Sequence, residues 1–172
     1  EEVAAAERTL ERVMKAVAEC WPSARVEVFG SRATTLVVPE SDLDVVVFCP
    51  EIAAVLARPE AKKRAGRGRG RGHARTAHLY VLSDAIERAG VASYMEVVDG
   101  ARIPIVKLRD RETGIGVDIC FEQPGGPRTG ALIRSYLKQY PAMRPLVLTL
   151  KYFLAQRGLN EPFHGGVGSF LL

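Results

Sequence analysis

Asp42 and Asp44 flank Leu43 at the head of the β-branched run Leu43–Phe48, LDVVVF. Such a run reads as a central strand. On a strand, residues two apart face the same way. Two carboxylates therefore leave one side, while Leu43 and Val45 leave the other. Unpaired carboxylates side by side are unfavourable near a core, so a positive charge is expected between them. Hard oxygen donors favour Mg²⁺ or Mn²⁺. The bland alternative is a solvated strand end or a cap, which the apolar run that follows argues against.

Upstream, residues 30–44 read GSRATTLVVPESDLD. Gly30-Ser31 directly follows a second strand pattern, Arg25–Phe29. Glycine permits close backbone approach, N–H groups at a following helical turn attract phosphate, and the Ser31 hydroxyl adds a donor. Downstream, Asp118 in GIGVDICF alternates with Val117 and Ile119, so it emerges opposite the buried face of its own strand. Were that strand beside the Asp42–Asp44 strand, three carboxylates would converge. That is the donor set of a two-metal site, in which ions about 3.5–4 Å apart serve the attacking and leaving oxygens.

The remaining pattern is α/β (α+β). Residues 2–20 repeat apolar positions at helical spacing, and Leu79, Leu82, Ile86 and Ala89 give a second helix stopped by Gly90. Tyr94–Val98, Arg102–Leu108 and Ile115–Phe121 read as strands, the last two joined as a hairpin by RDRETG. Pro104 suggests an edge position or a strand start. After QPGGP at 123–127 only helices follow: ALIRSYLKQY ends at Pro141, and a helix with Pro145 near its start runs to about Arg157, with Gly158 as cap. The division expected is a catalytic domain over 1–127 and a helical domain beginning at 128 and incomplete at 172. The chain starts without Met and stops within an apolar run, so it is expected to be a fragment of a longer protein.

Residues 50–77 are Pro-, Gly- and Arg-rich without periodicity, which predicts a loop or disordered insertion. The net charge of +4 comes from this stretch: residues 62–75 hold seven Lys and Arg and no acid, so the rest of the chain is mildly acidic. Arg67, Arg69 and Arg71 offer RNA-phosphate contacts. Equally, the charge keeps an unstructured loop soluble, and the absence of an interleaved aromatic favours that second reading. No apolar run approaches the ~18 residues of a membrane helix. Cys20, Cys49 and Cys120 form an odd set without metal-ligand spacing and read as reduced thiols.

The Gly-Ser-x10-Asp-x-Asp spacing resembles the signature of the DNA polymerase β-like nucleotidyltransferases. The blocks VEVFGSRATTLVVPESDLDVVVF, ARIPIVKL, GVDICFE, RSYLKQYPAMRPLVLTLKYFLAQRGLNEPF and HGGVGSF, in that order, resemble the noncanonical nuclear poly(A) polymerases of the TRAMP complex. The resemblance implies a nucleotidyltransferase palm with a mixed or antiparallel sheet and flanking helices, followed by the start of a helical domain. It implies Asp42, Asp44 and Asp118 as metal-binding catalytic acids and Gly30 and Ser31 as triphosphate contacts. Lys151, which spacing alone would read as a snorkelling surface lysine, becomes a triphosphate contact by resemblance, as does Ser169. Phe170 stands where the family has a Tyr that stacks on the base, and Gly125-Gly126 where it often has Asn-Gly near the ribose. The implied reaction is addition of AMP from ATP to RNA 3′ ends with Mg²⁺ or Mn²⁺. The implied setting is the nucleus or nucleolus, with a zinc-knuckle RNA-binding protein and an RNA helicase as partners. Terminal uridylyltransferases share every motif seen. A non-catalytic RNA-binding scaffold of the same fold would be marked by loss of a catalytic acid, and all three acids are present.

Overall fold

A computed structural model describes residues 2–39, 41–57, 73–160 and 165–168. Helix α1 (Glu2–Cys20) leads through Trp21-Pro22 into β1 (Arg25–Phe29), the single turn α2 (Gly30–Thr34) and β2 (Leu43–Phe48). Helices α3 (Pro50–Ala57) and α4 (His73–Arg88) precede β3 (Ala92–Val98), β4 (Ile105–Asp110) and β5 (Gly116–Phe121). Helices α5 (Gly125–Gln139) and α6 (Met143–Gln156) follow.

The five strands form one mixed sheet in the order β1-β2-β5-β4-β3. The β2–β5 pair is parallel and the other three pairs are antiparallel. Alternation along the strands decides what each face carries. Leu43, Val45, Val47, Val106, Leu108, Val117, Ile119 and Phe121 share one core with Val13, Ala16 and Val17 of α1 and Leu79, Leu82 and Ile86 of α4. Full burial of each Val, Leu, Ile or Phe side chain among these is worth about 1.5–3 kcal/mol. The intervening residues Asp44, Lys107 and Asp118 therefore lie on the opposite face. There α5 packs against α2 and β1, and α6 against α5.

Asp110 is the exception on the core face, 1% exposed. It accepts hydrogen bonds from Thr9 Oγ1 at 2.6 Å, from Arg12 and from the Glu112 N–H. Burial opposes its ionisation, but these bonds outweigh burial and hold its pKa below the usual value. This acid ties α1 to the β4–β5 hairpin and is structural.

The insertion expected over 50–77 is shorter than composition suggests. Pro50 opens α3 as its first residue, where a missing N–H is harmless, Glu51 sits in its first turn, and Ile52 is buried. Helix α4 already begins at His73. Arg67, Arg69 and Arg71 lie outside the described residues, as do Ser169 and Phe170. Strand β4 starts after Pro104 rather than at Arg102, and it is an interior strand. Pro104 therefore marks a strand start and not an edge. Helix α5 starts at Gly125, so the boundary drawn at 127 falls within its first turn. Gly158 ends the last helix with φ +64°, as a C-terminal cap requires. Helix α6 buries Val147 and Lys151 and exposes Leu146, Leu150, Tyr152 and Phe153. Among the described residues no helix is long and apolar enough to cross a membrane.

Candidate active site

Strand register brings the acids together. Asp44 on β2 is directly opposite Asp118 on the parallel strand β5, and Asp118 is directly opposite Lys107 on β4. Asp42 sits one residue before β2, so it enters from the strand's mouth and not from the strand itself. Lys107 Nζ lies 3.4 Å from Asp118 Oδ1 and 3.7 Å from Asp42 Oδ2.

Two glycines make room for the carboxylates. At Gly30, with φ +68°, a Cβ would overlap Asp44 Oδ2. At Gly116 a Cβ would overlap Asp42 Oδ1. Gly126 serves the scaffold: a Cβ there would stand 2.5 Å from the Phe29 ring, so its absence lets α5 close onto β1.

The electrostatics are those of an anionic cluster short of cations. Burial, and then the charges of Asp118 and Asp42, push the pKa of Asp44 up to about 6. Burial also raises Asp118; the Lys107 ammonium opposes that shift and Asp42 adds to it. Asp118 Oδ1 is buried, with the Lys107 ammonium 3.4 Å away as its charged neighbour. Cys120, next to these acids, is driven up to about 12 chiefly by burial, so its thiol is inert.

Lys151 reaches the site from α6. It is 8% exposed, and its Nζ donates to the Leu36 carbonyl at 2.8 Å. Burial lowers its pKa and Asp44 partly restores it. With Gly30, Ser31, Asp42 and Asp44 it lines a cavity of ≈380 Å³ that extends to Asn160 and Val167. The surface reading of this lysine fails because α5 packs on α2, α6 packs on α5, and the Lys151 side chain reaches back to Leu36 just after α2.

The residues expected to carry chemistry thus divide cleanly. Gly30, Ser31, Asp42, Asp44 and Lys151 share one cavity, and Asp118 adjoins it across the sheet. Sequence reasoning missed Lys107, Gly116 and Arg32. The first two had a signal: a hairpin that sets Arg109 opposite Gly116 also sets Lys107 opposite Asp118. Arg32 had none. It turns inward from α2 and donates to the Ser41 carbonyl at 2.7 Å, directly before Asp42.

The donor set fits a hard divalent cation, since three carboxylates repel one another with only the Lys107 ammonium near two of them. It is not a closed cage. Among the described residues no three potential ligands meet around a single point.

A family model described as poly(A) RNA polymerase, mitochondrial-like, central palm domain matches residues 1–138. The chain is 37% identical over 172 residues to poly(A) RNA polymerase cid14 of Schizosaccharomyces pombe, covering 100% of this chain and 22% of that protein. To poly(A) RNA polymerase protein 2 of Saccharomyces cerevisiae it is 35% identical over 170 residues, covering 99% of this chain and 26% of the other. Among solved structures, the polymerase core of TRAMP, an RNA surveillance complex, superposes with a TM-score of 0.76 at 34% identity, over 99% of this chain and 47% of that one. Terminal uridylyl transferase 4 from Trypanosoma brucei superposes with a TM-score of 0.74 at 25% identity, over 95% and 48%. The chain therefore spans about a quarter of these relatives and about half of these structures.

Proposed function

Because the chain belongs to the family described as poly(A) RNA polymerase, mitochondrial-like, central palm domain, we propose that it carries the catalytic centre of an RNA 3′-end nucleotidyltransferase. The reaction is template-independent transfer of AMP from ATP. One observation carries this reading: Asp44 and Asp118 pair across parallel strands, beside a cavity walled by Gly30, Ser31 and Lys151.

Mg²⁺ or Mn²⁺, held by Asp42, Asp44 and Asp118, would supply acidification of the RNA 3′-hydroxyl and neutralisation of the leaving pyrophosphate. The chain's own groups do the rest. Gly30 lets the triphosphate approach the backbone, and the Ser31 hydroxyl donates to it. Lys151, held by the Leu36 carbonyl, presents a positive charge from the opposite wall. Burial makes that ammonium worth more than a surface lysine, because water screens it less. Ser169 and Phe170 complete the phosphate and base contacts by resemblance. On resemblance too, the reading extends to nuclear RNA surveillance, with a zinc-knuckle RNA-binding protein and an RNA helicase as partners. UTP is the second reading, favoured by the likeness to a terminal uridylyl transferase.

The test incubates the full chain with a short RNA, Mg²⁺ and each NTP singly, beside Asp44→Ala. A ladder with ATP, absent in the variant, is the expected result. A ladder with UTP alone would overturn the substrate, and extension that survives in Asp44→Ala would overturn the site.

A further inference from the structure

We propose that Lys107 is the internal counter-cation of the acid cluster: its ammonium bridges Asp42 and Asp118 while no divalent ion is bound and is displaced when one arrives. The inference rests on the reading of the acids as cation ligands.

Three observations carry it. Lys107 stands on an interior strand, opposite Asp118 in register, so its backbone is fixed beside the acids. Its Nζ is within 4 Å of oxygens on two of the three carboxylates, 3.4 Å from Asp118 Oδ1 and 3.7 Å from Asp42 Oδ2. Its side chain is 44% exposed, so the four-carbon stem can leave the cluster for water. Arg12, which pairs with the buried Asp110 on the other face, shows the contrast. Its side chain is only 19% exposed and its partner is fully enclosed, so that pair stays closed.

The role has a definite consequence. Asp44 and Asp118, set opposite one another by strand register, cannot move apart when the cluster is empty, and Asp42 directly precedes the same strand as Asp44, so an ammonium that comes and goes relieves the repulsion of the cluster. The same ammonium competes with an incoming ion. Lys107 therefore weakens divalent binding to the protein alone, and loading comes to depend on nucleotide phosphates that bring ligands of their own. Nothing is covalently changed; a side chain and an ion exchange places.

The test measures Mn²⁺ binding to the full chain without nucleotide, as loss of the free-ion paramagnetic resonance signal. Wild type, Lys107→Met, Lys107→Arg and Asp44→Ala are compared. Lys107→Met should bind Mn²⁺ about fivefold more tightly, the scale of one half-exposed ion pair. Lys107→Arg, which keeps the charge, should match wild type. Lys107→Met should also melt below wild type in EDTA, with the gap closing at saturating Mn²⁺. Binding that depends on Asp44 but is unchanged or weaker in Lys107→Met would overturn the proposal and leave the metal reading intact. Equal binding by wild type and Asp44→Ala would overturn the metal reading, and this proposal with it.

Discussion

Replacing Asp44 by Asn should make the ion-free protein more stable at pH 8 while abolishing RNA extension. Asp44 has a folded-state pKa of about 6 against an ordinary 3.8, from burial first and from Asp118 and Asp42 next. The folded protein thus holds its proton to higher pH than the unfolded chain. The associated stability is fully present below about 3.8 and is lost as pH rises through about 6. At about 1.4 kcal/mol per pH unit, that interval corresponds to about 3 kcal/mol. Asn has the same shape and clears Gly30 as Asp does, so the variant escapes the loss. For a domain of this size the gain is about 6–12 °C in Tm. The assay is thermal melting by circular dichroism in EDTA at pH 4 and pH 8. The gap between variant and wild type should be widest at pH 8 and shrink toward zero at pH 4. His78 shifts the other way: burial lowers its pKa to about 4, so it weakens the fold as pH falls from about 6.5 toward 4. That residue is present in both proteins and cancels. Saturating Mn²⁺ should reverse the order, because only wild type keeps the full ligand set. A variant less stable than wild type at pH 8 in EDTA, or a gap independent of pH, would refute the reasoning.

Gly116→Ala places a methyl against Asp42 Oδ1 and should lower kcat at least tenfold with about 1–3 kcal/mol lost in urea melts; an unchanged kcat would show that Asp42 has room to spare. Arg32→Ala frees the Ser41 carbonyl from its 2.7 Å bond and should lower kcat more than it raises KM for ATP, with Arg32→Lys recovering only part; a pure KM effect would assign Arg32 to substrate instead. Lys151→Met removes the buried ammonium and should raise KM for ATP about tenfold or more, as loss of one charge-assisted phosphate bond implies. Equal loss for RNA and ATP binding would point to misfolding of α6, which retained near-ultraviolet dichroism would exclude.

The legible part of this fold was its local chemistry. Val3, Leu10, Val13 and Val17 announce α1 because a helix repeats every 3.6 residues, and β1, β2 and the helix stops at Gly90 and Gly158 follow from similarly short-range rules. Composition misled over 50–57, where a proline that looks like a breaker is an N-terminal helix residue, and at Pro104, which opens an interior strand. The site was half legible. The spacing of Asp42 and Asp44 and the alternation around Asp118 single out the acids, since the side of a strand is set within two residues. What pairs with what is not local. That β2 lies parallel to β5, which sets Asp44 opposite Asp118, depends on strands some 70 residues apart sharing a sheet. That Lys151 is buried against Leu36 depends on α5 packing on α2 and carrying α6 with it. Side-chain type and strand face were thus determined by the sequence alone, because they arise from bonds between neighbours. The pairing of Asp44 with Asp118 and the approach of Lys107 and Lys151 to the acids were decided only by tertiary structure, because packing one face of the sheet against α1 and α4 turns every intervening residue toward the other.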